Sequence, residues 1–190
     1  HRPVRLALKT WGERSRFAGS KDRAFVSGLV LDVLRKRRSL AWRMGADSNR
    51  AAAIGALKFE WDWTSRAIAE ACADAEHGPG ALTEAEAAAL EAPADLTAAP
   101  DPVRGDYPDW LDEGLGRAFG DRRVEEAQAL AERAPVDLRV NLLKTDTARA
   151  LKALAPLGPE PVERLDGAIR LPAPDPARRA GAVETIPAFS

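Results

Sequence analysis

Four consecutive cations, Arg35, Lys36, Arg37 and Arg38, stand in the stretch VLRKRRSLAWRMG, with Arg43 close behind them. Such a run suits phosphate oxygens: each phosphate neutralised releases condensed counterions, and the arginine fork can grip two oxygens at once. A second set lies in PVDLRVNLLKTD, where Arg139 and Lys144 flank Asn141. Here Val136, Leu138, Val140 and Leu142 alternate with Asp137, Arg139 and Asn141, the two-residue period of a strand that buries one face. The polar face has three uses open to it: a solvated surface, side chains bonding back to local backbone, or part of a site that reads a polyanion. Asparagine is poor in strands unless its amide is used, so Asn141 is expected to secure backbone where the strand passes into a helix.

Other chemistry is sparse. Cys72 is the single cysteine of 190 residues, which excludes an intrachain disulfide and a multi-cysteine zinc site, and with His1 and His77 as the only histidines a metal centre is not expected. Cys72 falls inside an apolar helical stripe and reads as a small buried hydrophobe. Gly-rich phosphate loops, G-x-S-x-G, H-E-x-x-H and C-x-x-C are all missing, so no catalytic residue is assigned. Tyr107, Trp110 and the other tryptophans offer faces on which bases could stack, although aromatics at helical spacing usually serve a core.

Charge is segregated along the chain. Residues 1–50 hold 13 Lys/Arg against 4 Asp/Glu, and residues 51–134 hold 7 against 18, within a net charge of −1. A basic amino-terminal quarter in an otherwise acidic protein suggests a polyanion footprint, and pairing with the acidic middle explains it equally well. No run approaches the roughly 20 apolar residues of a membrane span, and HRPVRLALKTW has no signal-peptide pattern. A cytoplasmic protein without membrane association is expected.

The elements that would position these groups are mostly helices. Ser20 caps a helix whose stripe runs from Phe25 to Leu34, and the four cations fall in its last turn, where the helix dipole favours them. Further helices follow over NRAAAIGALKFEW, TSRAIAEACADAE and TEAEAAALEA, the last opened by a Thr83–Glu86 capping box. Pro93, Pro100, Pro102 and Pro108 mark a linker. Beyond it come two more helices, the Arg139 strand, a helix capped by Thr145 or Asp146, and two short strands around Asp166-Gly167, a hairpin signal. The tail APDPARRAGAVETIPAFS is expected to be loosely ordered. The fold class is therefore mainly α: an all-α domain over 1–104 ending in the Pro-rich linker, then a small α+β domain over 105–190 with a short antiparallel sheet.

Three stretches resemble a known family. KDRAFVSGLVLDVLRKRRSLAWRMG is similar to the NusB-like helical region at the start of Sun/Fmu-type ribosomal RNA cytosine-5 methyltransferases. YPDWLDEGLGRAFG resembles that family's Pro-x-Trp-Leu helix, and APVDLRVNLLKTD its Arg-Val-Asn segment, in the same order and spacing. The resemblance implies a Rossmann-type domain that binds S-adenosylmethionine and carries two catalytic cysteines, one in a Pro-Cys motif. Cys72 follows Ala71 in the helical region and matches neither. The chain is accordingly expected to be the non-catalytic front fragment of such an enzyme, short of a first helix and without a cofactor of its own. Its implied partners are ribosomal RNA and its own C-terminal catalytic domain. Arg35, Lys36, Arg37, Arg38 and Arg43 are the first candidates for RNA contact, and Arg139 and Lys144 the second. Two other roles stay open: a NusB-type protein-interaction or antitermination module, and a scaffold with no RNA contact.

Overall fold

The computed structural model describes residues 3–173, which fall into one compact unit up to Glu132 and a second from Arg133 on. The tail beyond Ala173, expected to be loose, lies outside the described residues, as does His1. The first unit is helical. Helix α1 (Val4–Arg14) forms where no element was expected, and Val4, Leu8 and Trp11 are half-buried at helical spacing along it. Helix α2 (Ser20–Arg35) is capped one residue before Ser20: the Gly19 N–H donates to Asp22 Oδ2 at 2.7 Å. The expected stripe is shallower than its composition suggests. Phe25 through Val33 are half-buried and Leu34 is exposed, while Gly28 and Asp32, one turn apart, are the deepest positions. Asp32 tolerates burial because it accepts a bond from Trp61 Nε1 at 2.8 Å and pairs with Arg35 at 3.1 Å. Phe25 meets Trp61 edge to face, ring centres 5.0 Å apart.

Helix α3 (Arg37–Met44) starts immediately after α2, so the four cations straddle a corner instead of filling one last turn. Helix α4 (Asn49–Phe59) is capped by Ser48, α5 (Ser65–Ala73) by Thr64, and α6 (Glu84–Glu91) by the complete Thr83–Glu86 box. Met44, Ala51, Ile54, Ile68, Cys72 and Leu90 close one core between them. The proline stretch is not bare of regular structure. A short helix α7 (Asp101–Arg104) carries Pro102 in its first turn, where the missing N–H would have had no helical partner. The stretch also lies along α3, with Ala94 N–H donating to the Arg43 carbonyl at 3.2 Å and Trp42 Nε1 to the Asp95 carbonyl at 3.1 Å. Helices α8 (Asp112–Phe119) and α9 (Arg123–Ala131) follow, separated by Gly120 at φ +58°.

The second unit is a three-stranded antiparallel sheet with one helix. Strands β1 (Val136–Arg139), β2 (Glu160–Pro161) and β3 (Ala168–Leu171) lie in the order β1-β3-β2, and helix α10 (Thr147–Leu154) is capped by Asp146. Leu138 pairs with Ile169 and Asp137 with Arg170 across the sheet. Val140, Ala150, Leu154, Ile169 and Leu171 make its core. Asp166-Gly167 does join β2 to β3, within a wider loop than a two-residue turn, and Gly167 takes φ +72°. The β1 row is shorter than its alternation implied: Val136, the first residue of the strand, is 44% exposed, and Leu142 is 56% exposed because the strand ends at Arg139 and the chain turns there. Together the units are mainly α with a small α+β part, as the pattern predicted. Among the described residues no helix is long and apolar enough to cross a membrane.

Candidate nucleic-acid interface

At the α2–α3 corner every cation of the run has an acidic partner. Arg35 pairs with Asp32 at 3.1 Å, Lys36 with Glu132 at 2.7 Å, Arg37 with Asp47 at 2.6 Å and Arg38 with Asp109 at 2.8 Å. Arg38 also donates to the Tyr107 carbonyl at 2.7 Å, and Arg37 to Asn49 Oδ1 at 2.8 Å. Two of the four thus reach into the acidic middle segment, and two are matched within residues 1–50. The Lys36 side chain is only 15% exposed, which leaves little of it for an outside phosphate.

Two cations opening a helix stand at the wrong end of its dipole. Asp106 offsets this from 67 and 68 residues away in sequence. Its Oδ1 accepts the N–H groups of Arg38 (2.9 Å) and Ser39 (2.8 Å), and its Oδ2 accepts the Ser39 hydroxyl at 2.5 Å. Burial pushes the Asp106 carboxyl above its ordinary range, while the bonds from Ser39 and Arg38 pull it back. Its backbone sits at φ +55°, a left-handed setting that Asp tolerates better than most side chains. Arg43, the remaining candidate here, lies over the Phe59 ring at 3.6 Å, and burial lowers its pKa.

In the second unit the cations are differently placed. Arg139 and Lys144 are exposed, and among the described residues neither forms an ion pair. They share the lining of a cleft of about 460 Å³ with Arg149, whose bond to Asp146 is long, 3.4 Å, and solvated. Nothing in the sequence reading had marked Arg149; the available signal was an arginine in the first turn of a helix, where the dipole repels it. The polar face of β1 divides its labour. Asp137 grips Arg170 on β3 through two bonds of 2.7 Å. The Oδ1 of Asn141 accepts the Leu143 N–H at 3.1 Å, and its carbonyl accepts those of Lys144 and Thr145, so it does secure the passage from strand to helix. Arg139 is left to the solvent.

The aromatic candidates separate in the same way. Tyr107 is buried, its hydroxyl donating to Asp112 Oδ1 at 2.7 Å, and the phenol is pushed up to about 12, chiefly by burial and then by that carboxylate. Trp61 and Trp63 pack on Phe25, whereas Trp110 is 78% exposed. Cys72 is buried among apolar neighbours, its thiol pushed up by that burial, as befits a core residue. Among the described residues no group of three or more metal-ligating side chains comes together.

Fold and site together describe a mainly helical chain with a small antiparallel α+β unit that presents unpaired cations beside a cleft. Residues 107–178 match the family model described as Methyltr_RsmF/B-like, ferredoxin-like domain. That match takes in both the Pro-x-Trp-Leu and the Arg-Val-Asn stretches and supports the methyltransferase kinship they carry; the helical stretch with the four cations lies outside it. No curated protein and no solved structure matches the chain.

Proposed function

We propose that this chain is the RNA-holding, non-catalytic N-terminal part of an S-adenosylmethionine-dependent ribosomal RNA (cytosine-5) methyltransferase. The observation that carries the reading is the family match over residues 107–178, which begins in the last helices of the first unit and takes in the described part of the second, where Arg139 and Lys144 are unpaired. A cytosine in a folded RNA must leave its stack to be modified, and modules beside the catalytic domain hold the surrounding strand through phosphate contacts and shape. The reading assigns S-adenosylmethionine and the catalytic thiols to a domain joined to this one, since Cys72 is the only thiol here and is buried. In this reading residues 1–104 act as a NusB-like helical domain and 105–190 as the α+β domain, in the cytoplasm, with the leading helices α8 and α9 of the latter lying within the compact helical unit that ends at Glu132.

One observation favours a second reading for the helical unit alone. Lys36 and Arg38 are tied to Glu132 and Asp109, as befits a scaffold or a NusB-type protein-interaction module without RNA contact. Titration of the purified chain with a ribosomal RNA hairpin between about 50 and 200 mM salt tests both. Affinity that falls steeply with salt is expected, with a slope of roughly 0.9 per duplex phosphate contact. Replacing Arg35 and Arg37, the two with purely local partners, by alanine asks whether the corner takes part: an unchanged slope leaves it a scaffold. RNA binding that is absent or indifferent to salt refutes the main reading.

A further inference from the structure

The cleft of the second unit has a floor of a different character from its rim. Leu138, half-buried, and Val140, 9% exposed, give the floor its apolar surface, and the fully buried Leu154 and Ile169 back it. The rim is Arg139, Lys144 and Arg149. Two neutral hydrogen-bonding side chains, Asn141 and Thr145, also line it. The Asn141 Oδ1 is engaged by Leu143, which leaves its amide NH2 available as a donor. At about 460 Å³ the cleft falls within the roughly 300–1,000 Å³ typical of small-molecule sites, so it is large enough for one planar group and too small for a duplex. A phosphate needs cations but no apolar floor. An aliphatic ligand needs the floor but no cations. A nucleotide uses both: the base face gains from burial against Leu138 and Val140, its edge meets Asn141 and Thr145, and its phosphates meet the three cations.

We infer that this cleft takes one unpaired nucleotide of a single-stranded RNA segment, the base inserted against the apolar floor and the flanking phosphates held by Arg139, Lys144 and Arg149. The inference rests on the RNA-holding reading and adds to it the site and the form of RNA it selects: a splayed-out base in place of a helical surface. Arg149 belongs to the site because its bond to Asp146 is exposed and weak enough to be exchanged for a phosphate.

The whole chain is titrated with a fluorescein-labelled unstructured octanucleotide RNA, with the same strand carrying abasic sites, with uridine 5′-monophosphate and with duplex RNA. The base-bearing strand is expected to bind at least about five-fold tighter than the abasic one, the low end of what base stacking gives, since the floor is aliphatic. Arg139→Ala with Lys144→Ala reduces the salt slope by about 1.4, two single-strand contacts, and Thr145→Leu, which narrows the cleft, weakens the base-bearing strand and spares the abasic one. Should Thr145→Leu disturb the fold, backbone amide shifts of wild-type Leu138, Val140 and Ile169 on adding the octanucleotide give the same answer without a variant. Equal binding of abasic and base-bearing strands, unmoved floor amides, or a monophosphate that binds as tightly as the strand overturns the inference while RNA binding itself stands. A chain that binds none of these RNAs overturns both.

Discussion

Asp106→Ala should be among the most damaging single substitutions at the surface of the helical unit. The carboxylate holds three donors at the start of α3, and Ser39, the residue supplying two of them, is only 6% exposed. Losing a helix cap costs about 1–2 kcal/mol, and leaving partly buried donors bare costs about 1–3 more. Alanine must also adopt φ +55°, a left-handed setting that costs about 1–2 kcal/mol. Against this, a desolvated carboxylate is removed, which gives back part of that loss. The net loss is about 3–4 kcal/mol. Asp106→Gly keeps the backbone setting and should be about 1 kcal/mol milder, and Asp106→Asn, which retains an acceptor for both N–H groups, milder still, at about 1 kcal/mol. Urea unfolding followed by tryptophan fluorescence isolates this unit, because all five tryptophans precede Glu132. With a slope of about 2–3 kcal/mol per molar, the alanine midpoint should fall by more than about 1 M. A midpoint for Asp106→Ala within the error of wild type would refute the cap, and a glycine variant no better than alanine would refute the backbone part. The pH dependence has a definite sign. A carboxyl raised in the folded state binds more protons there than in the unfolded chain, so Asp106 makes stability fall as pH rises from its unfolded value near 4 through its higher folded value; Asp106→Asn should abolish that component.

Arg50 gathers the loop before α6, bonding Glu86 at 2.7 Å and the carbonyls of Pro79, Gly80 and Ala81 at 2.9–3.0 Å; Arg50→Ala should cost about 1–2 kcal/mol and speed amide exchange in that loop, and unaltered exchange would count against the tether. Arg50 lowers the Glu86 carboxyl, so the stability this pair gives above about pH 4.3 should be lost as pH falls through the lower folded value, and the Arg50→Ala variant should show a shallower acid limb. Cys72, buried and pushed up in pKa, should react with a disulfide reagent at pH 8 only as fast as the helical unit opens, with urea accelerating it; native reactivity equal to that of the unfolded chain would place the thiol outside the core. Gly105→Ala puts a methyl group 2.6 Å from Cδ1 of Tyr107, whose ring is held by its bond to Asp112, and should cost about 1–3 kcal/mol in the same urea assay, where no loss would mean that the ring is free to move.

What the sequence made legible was local. Thr83–Glu86, Asp146 and Asn141 act within three residues of themselves, and each does what its side-chain chemistry prescribes. The α2–α3 corner was hidden because neither Gly nor Pro marks it: Arg35 through Arg38 read as the last turn of one helix, and the group that permits a second helix start is Asp106, far along the chain. The ordering of the Pro-rich stretch was hidden for the same reason, since its bonds run to Trp42 and Arg43 on a distant helix. At the candidate site, Arg139 and Lys144 could be named from their spacing. Whether a cation is paired is decided by tertiary neighbours, which is why Lys36 and Arg139 look alike in sequence and differ in the fold.

The tie between Lys36 and Glu132 sets an order of events during synthesis. The partners are 96 residues apart, so this tie cannot form until Glu132 has been made, at the earliest roughly 5–20 s after Lys36. Throughout that interval Lys36 and Arg38 lack their folded-state partners, while Arg35 and Arg37 have Asp32 and Asp47 close at hand in sequence. Non-local closure of this kind slows folding, and here it leaves two of the four cations uncompensated until Asp109 and Glu132 arrive. The acidic middle segment therefore works as an intramolecular counterion for Lys36 and Arg38, in place only once the helical unit has folded.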